Sequence, residues 1–472
     1  MPPSSAKKPH IVMIIPRGES VRNFLYSDTL KILSDNARVT LLSVIDDDRF
    51  MAQFSPYVER IIPLKQYPEK RFIHMLRLIT YDAHFRWMWG ETAKNNWEMH
   101  DARAKQLGRT FQRAIVKFLA RLAANRPTLE FLTKVDQFLS WHFRPNDDLV
   151  QLFEDLKPDL VFNTSHIHGP AGELPAKISY KLGIPTVGFI FSWDNLTTRG
   201  RIFVPYDYYL VWHQGMHDKL LEIYPHVDKK RVFITGTPQF DYHFKPEYLL
   251  SREELASKIG FDPNRPYILY TTGMAKDFPD EHRTVEYLIE LLKELDLPEK
   301  PQLVVRTYAK GTSEEMKAIG RRGLPDVYFP EVLWDHKWLI PQYEDLSIYT
   351  SLVKHAAMGI NAASTVSLEL MMFDKPVMNL AFDPPGSDLP PVYRWIRHIK
   401  FDHYWPVANS GGVNVAWKPE EMKAILLKGL THPEEDSDKR KTFINRVFGD
   451  TLDGKSGERV AHQLLFLAEH AR

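Results

Sequence analysis

The stretch MGINAASTVSLELMMFDKPVMNL, residues 358–380, holds the residue types that bind a phosphorylated ligand, at a spacing that suits the task. An apolar strand end at 358–360 runs into Asn361, Ala362, Ala363, Ser364 and Thr365, small residues that let a ligand approach the backbone. Ser364 or Thr365 is expected to cap the next helix by accepting a hydrogen bond from one of its first N–H groups. Those N–H groups and the positive end of the helix dipole suit a phosphate. Glu369 follows one helical turn later, where its carboxylate could hold both hydroxyls of a ribose. The competing reading makes Glu369 a surface residue of an amphipathic helix.

Other strand ends carry comparable groups. In YTTGMAKDFPDEH, Thr272 and Gly273 could bring the backbone to a phosphate and Lys276 could pair with it. VVRTYAKG offers Arg306 and Lys310, whose charge would stabilise a departing diphosphate, or which are simply solvated surface cations. AFDPPG places Asp383 either on a sugar or at the cap of a turn. In GIPTVGFIFSWDNLTTRG a β-branched run ends in Trp193, Asp194, Asn195, Thr197 and Thr198. A tryptophan that stacks on a sugar, beside amide and hydroxyl groups that bond its hydroxyls, is one reading; an Asx turn opening a capped helix is the other. Metal readings are weak. His166-x-His168 lacks further ligands, and a second complete βα series argues against reading Asp46-x-Asp48 in IDDDRF as a D-x-D that holds a divalent ion.

The elements that must position these residues show a regular rhythm. The chain has 472 residues, enough for two or three domains. A continuous apolar run at 11–15 reads as a buried strand, followed by a helical pattern and a second strand at 39–45. That βαβ opening implies a parallel sheet covered on both faces. Strands at 160–162 and in IPTVGF, YDYYLVW and RVFITG continue it, and a second series begins at RPYILYTTG. The boundary is expected near 240–250, after GTPQFD. This gives domains at 1–244 and 245–454, with a last helix at 455–472 that would return to the first. Between 65 and 145 the rhythm stops in a helical insertion, rich in Trp87, Trp89, Trp97 and Trp141, with 15 Lys and Arg against 7 Asp and Glu from Lys65 to Arg144. Within it, Phe111, Ile115, Phe118, Leu119 and Leu122 form a helical stripe, with Arg113, Lys117 and Arg121 on other faces. The insertion is read as packed on the sheet with a solvated basic face, as a docking surface for an anionic membrane or lipid-linked acceptor, or as a protein interface.

Composition excludes several classes. A net charge of +1 gives no global field for nucleic acid. The absence of cysteine removes disulfides, thiol nucleophiles and thiolate zinc, and fits a reducing, cytoplasmic setting. No run approaches the ~20 apolar residues of a membrane span, so a soluble protein, or one peripheral to the inner membrane face, is expected. No G-x-G-x-x-G follows the first strand, and neither a P-loop nor a G-x-S-x-G motif occurs.

Strand, small-residue turn, Ser/Thr, Glu and then Lys-Pro-Val resembles the nucleotide-binding half of GT-B glycosyltransferases. SWDNLTT with GTPQFD is similar to a subset of bacterial surface-polysaccharide glycosyltransferases. The resemblance implies an α/β fold of two Rossmann-like doubly wound domains with an interdomain cleft. It implies that Asn361, Ser364, Thr365 and Ser367 meet a donor diphosphate and that Glu369 meets the ribose, with Thr272, Gly273, Arg306 and Lys310 as further donor contacts. It implies transfer of a sugar from a nucleotide-sugar, a UDP-sugar foremost, to a glycan or lipid-linked acceptor, with the nucleotide-sugar as substrate and no cofactor or metal. Retaining members often carry a second glutamate eight positions before the ribose glutamate; here that position is Asn361, which favours inversion. An inverting transfer needs a base for the acceptor hydroxyl, and Asp194, Glu19, Glu173 and His168 are its candidates in the first domain. Related enzymes supply the alternatives of a CDP-glycerol-type glycerophosphotransferase or a UDP-sugar 2-epimerase, and a non-catalytic scaffold of the same shape is the third.

Overall fold

The computed structural model describes residues 8–167 and 169–471. The chain divides into two compact units. Among the described residues, the first holds those up to 89, 100–241 and those from 451 on, and the second holds 90–99 and 242–450. Within the 65–145 insertion, Gly90–Met99 therefore belongs with the second unit, tied there by reciprocal bonds between Thr92 and Asp402, both at 2.9 Å.

The first unit is built on seven parallel strands: β1 (His10–Ile15), β2 (Arg38–Ser43), β3 (Arg60–Pro63), β4 (Leu160–Asn163), β5 (Thr186–Phe189), β6 (Tyr208–Val211) and β7 (Val232–Ile234). Their order is β3-β2-β1-β4-β5-β6-β7. Strands covered by helices on both faces read as unbroken apolar runs rather than alternating ones, and Ile11 to Ile15 are fully buried. Four long helices, Arg71–Trp87, Glu91–Gln106, Thr110–Ala123 and Arg126–Phe143, lie between β3 and β4. The last helix, Ser456–His470, packs on the first unit. Its first N–H groups, which lack intrahelical acceptors, donate to Asp241: Ser456 N at 2.9 Å and Gly457 N at 2.7 Å. The aspartate of GTPQFD is thus a helix cap supplied from 215 residues away. Gly236 of the same motif has φ +77, and a Cβ there would stand 2.4 Å from Ser456 Oγ.

The second unit has six parallel strands: β8 (Tyr267–Thr271), β9 (Gln302–Arg306), β10 (Val327–Tyr328), β13 (Met358–Asn361), β14 (Val377–Leu380) and β15 (Val413–Ala416), with the small hairpin β11 (Trp334–Asp335) and β12 (Ile340–Pro341) between. The sheet order is β10-β9-β8-β13-β14-β15. Both sheets thus reverse strand order beside their first strand, between β1 and β4 and between β8 and β13. Ligands of doubly wound sheets bind at the carboxyl ends of such pairs.

The insertion differs from expectation in one respect. The helix Thr110–Ala123 buries Val116, Ala120 and Ala123, while Phe111, Ile115, Phe118, Leu119 and Leu122 are exposed. The stripe does not pack on the sheet. Arg113 and Lys117 turn inward, with Arg113 bonded to Asp82 and to Asp101 (2.7 Å), and Lys117 to Asp101 (2.6 Å). No described helix is long and apolar enough to cross a membrane.

Candidate functional site

At the switch point of the second unit, β13 delivers Asn361 to the head of the small-residue turn. Asn361 is 1% exposed, and its Oδ1 accepts from Ser367 Oγ (3.1 Å) and Asn379 Nδ2 (2.9 Å). Tyr404 Oη completes the cluster, 2.8 Å from both Ser367 Oγ and Asn379 Oδ1 and able to donate to one of them. Ser367 Oγ is bonded to Asn361, Asn379 and Tyr404 within this buried network, which fixes local geometry, so the hydroxyl serves the turn and is not presented to a ligand. The Asn361 Nδ2 is different: it is buried with no hydrogen-bond partner among the described residues, and orphaned buried donors are costly.

Thr365 occupies the N-cap position of the helix Val366–Met372 with helical dihedrals and no capping bond from its side chain. Ser364 Oγ accepts from Val366 N at 3.3 Å instead. Both are partly exposed. Glu369 is 7% exposed, so it is not a surface residue of an amphipathic helix. Its Oε2 lies 2.8 Å from Nε2 of His243, whose ring stacks on Phe373. His243, two residues beyond GTPQFD, carries no local signal in the sequence.

The end of β8 is occupied from within. Gly273 N donates to both carboxylate oxygens of Glu281, at 3.1 and 3.0 Å, and Tyr270 Oη donates to the same group at 3.1 Å. A Cβ on Gly273 would stand 2.1 Å from the Phe278 ring. The glycine is required for close packing, and its amide is aimed at Glu281 rather than at a phosphate. Thr272 Oγ1 accepts from Tyr308 N at 2.9 Å. Beside these groups lies a cavity of about 220 Å³, lined by Thr272, Gly273, Phe278, Glu281, Thr312 and Ser313. Burial pushes the Glu281 carboxyl up to about 8, against the lowering effect of the Gly273 amide and the Tyr270 hydroxyl.

Arg306 is also engaged. Its guanidinium bonds Asp345 at 2.6 and 2.8 Å and the Glu331 carbonyl at 2.9 Å, while Asp345 also accepts from Leu333 N and Trp334 Nε1. The expected diphosphate contact is instead a buried strut. Lys310 is half-buried, with its ammonium 5.9 Å from the Tyr308 ring centre. Asp383 accepts from Trp395 N at 2.9 Å, which is the turn-cap role.

In the first unit, His166 at the end of β4 is 6% exposed and its Nδ1 lies 3.1 Å from the Phe189 carbonyl. Burial lowers its pKa to about 3, so it is neutral. His168 lies outside the described residues. Glu19 is 6% exposed with Arg17 at 2.6 Å. Glu173 belongs to a buried charge cluster: Arg77 reaches it at 2.8 Å, Asp136 at 2.7 Å and Glu69 at 3.1 Å, and Lys177 bonds Asp136. A carboxylate spent on Arg77 is a structural partner, not a general base. The turn after β5 is likewise internally bonded. Asn195 Oδ1 accepts from Ser192 N (2.9 Å) and its Nδ2 donates to Asp194 Oδ1 (3.3 Å). Thr198 Oγ1 donates to Asp194 Oδ2 (2.8 Å), and Thr197 Oγ1 to the Asp194 carbonyl (3.0 Å). Asn195 is buried, which corrects its reading as a sugar contact, whereas Trp193, Asp194, Thr197 and Thr198 stay partly exposed.

No protein-family model and no curated protein matches the chain. Solved structures do. The UDP-GlcNAc 2-epimerase of Methanocaldococcus jannaschii superposes with a TM-score of 0.51 at 12% identity, over 97% of this chain and 99% of that one. The UDP-GlcNAc 2-epimerase of Neisseria meningitidis, bound to UDP-GlcNAc, gives 0.52 at 10%, over 97% and 100%. MnaA of S. aureus, solved with UDP, gives 0.52 at 11%, over 98% of each chain. The fold is GT-B. On this GT-B frame the structure brings Asn361, Ser364, Thr365 and Glu369 together at one strand end. It withdraws Arg306, Ser367 and Gly273 into the supporting structure, and it adds His243, whose partner Glu369 lies far along the chain, and Glu281, whose burial beneath Gly273 no local pattern announces.

Proposed function

We propose that the chain is a glycosyltransferase that moves a sugar from a nucleotide-sugar, a UDP-sugar foremost, to a polysaccharide or lipid-linked acceptor with inversion. The observation that carries this is the end of β13. There the small-residue turn leads, one helical turn on, to a buried Glu369 carboxylate 2.8 Å from His243 Nε2. In this reading the ribose hydroxyls bond Glu369, and the diphosphate meets Ser364, Thr365, the spare Asn361 amide and Lys310. Asp194 takes the acceptor proton while Trp193 stacks on a sugar ring. Asp194 combines partial exposure with a fixed rotamer, held by Thr198 at 2.8 Å. No cofactor or metal is assigned, since the nucleotide-sugar is itself a substrate. A lipid-linked acceptor would bring the protein to a membrane surface from the cytoplasmic side.

The test is calorimetric titration with UDP, GDP, CDP and CMP, paired with turnover of Asp194→Asn. The asparagine keeps the bond from Thr198, so the variant should bind nucleotide normally and lose turnover. Normal turnover would remove Asp194 as the base; failure to bind any nucleotide would overturn the donor site and leave a scaffold. Preference for CDP or CMP would point to a glycerophosphotransferase. A second reading, a UDP-sugar 2-epimerase, is favoured by the structural likeness to such enzymes. It requires conversion of UDP-GlcNAc with no acceptor added.

A further inference from the structure

The helix Thr110–Ala123 is attached to the first unit by its less apolar side. Val116, Ala120 and Ala123 are buried, it packs on the helix Arg71–Trp87, and Arg113 and Lys117 reach Asp82 and Asp101. The consequence is a bare face: Phe111 is 79% exposed, Leu122 64%, Phe118 61%, Ile115 41% and Leu119 37%. Phe111, Ile115, Phe118 and Leu122 recur at helical spacing on one stripe. Rolling the helix to hide them would expose Arg113 and Lys117 and strip the buried Asp82 of its guanidinium, which keeps the face outward. Helix Arg126–Phe143 exposes Phe131 and Phe138, seven residues apart, in the same way.

Charge identifies what covers this face. From Arg103 to Leu129 there is no Asp or Glu, while Arg103, Lys105, Arg109, Arg113, Lys117, Arg121 and Arg126 supply seven cations. Arg103, Lys105, Arg109, Arg121 and Arg126 are exposed. A second copy docking through this face would bring the two sets of cations together, which opposes association. A helix of 14 residues is roughly 21 Å long, too short to span a bilayer and suited to lying in its interface.

We propose that this helix docks the protein on an anionic lipid bilayer, its aromatic and leucine side chains entering the acyl boundary while the flanking arginines meet lipid phosphates. This docking stands on the helix alone and does not require the transfer reading.

The test is flotation with vesicles of phosphatidylglycerol and phosphatidylcholine in equal parts, and with phosphatidylcholine alone. The full chain should float with the mixed vesicles at low salt, and much less with neutral ones. Binding should fall steeply as salt shortens the screening length from ~10 Å at 0.1 M to ~3 Å at 1 M. The triple variant Phe111→Gln, Phe118→Gln, Leu122→Gln should lose roughly tenfold in affinity per residue, with unchanged melting and unchanged UDP titration. A second variant, Arg109→Gln with Arg121→Gln, should flatten the salt dependence. No flotation at low salt, equal flotation of the triple variant, or equal binding to neutral vesicles would overturn the proposal. So would a lipid-free dimer, seen by sedimentation, that the triple variant dissolves. UDP binding is scored separately, so failure of the donor site is not mistaken for failure of docking.

Discussion

Replacing Glu281 by Gln tests how the end of β8 is held. Glu281 opens the helix Glu281–Lys293, is 6% exposed, and accepts from Gly273 N and Tyr270 Oη. Burial raises its pKa from 4.5 to about 8. The folded state therefore binds more protons than the unfolded state between those values. Stability from this group is full below about 4.5 and is lost as pH rises toward 8, after which the deficit is constant. Each pH unit inside the window costs about 1.4 kcal/mol, so between pH 6 and pH 9 the wild type loses roughly 2–3 kcal/mol through Glu281 alone. Glutamine has no such titration. The gap in unfolding free energy between Glu281→Gln and wild type should thus shift by that amount in the variant's favour across the range. In melting temperature the shift is roughly 5–10 °C for a unit of this size. The assay is paired thermal unfolding, by calorimetry or circular dichroism, at pH 6, 7, 8 and 9. A gap that stays constant with pH would show that Glu281 does not titrate there, and would refute the buried-acid account of this loop. The same ionisation adds a negative charge beneath Gly273, so UDP affinity should weaken above pH 8 in wild type and not in the variant.

Two further outcomes follow from the second unit. Arg306→Met should destabilise it by about 3–5 kcal/mol, because Asp345 is left buried without its cation; denaturant titration measures this, and UDP affinity of the folded protein should be unchanged. Glu369→Gln keeps the volume beside His243 but removes the carboxylate, and should weaken UDP binding roughly tenfold. An unchanged calorimetric affinity would take the ribose role from Glu369.

The amino-acid sequence by itself determined the alternation of strands and helices, because apolar runs such as Ile11 to Ile15 and the punctuation that ends them are local properties. It also marked the small-residue turn after β13 and the strand ends where polar residues collect, since period and turn chemistry are written within a few neighbours. Only the tertiary structure decided which of those residues are free to act. Arg306 sits at a strand end as a phosphate ligand would, yet Asp345, 39 positions away, claims its guanidinium. Asp241 looks like part of a site motif, yet it caps a helix that begins 215 residues later. The stripe from Phe111 to Leu122 was legible as an apolar face, but not which way it points. Periodicity reports that a helix has two faces, whereas the choice of face depends on the ion pairs with Asp82 and Asp101, carboxylates on other helices whose positions no local pattern encodes.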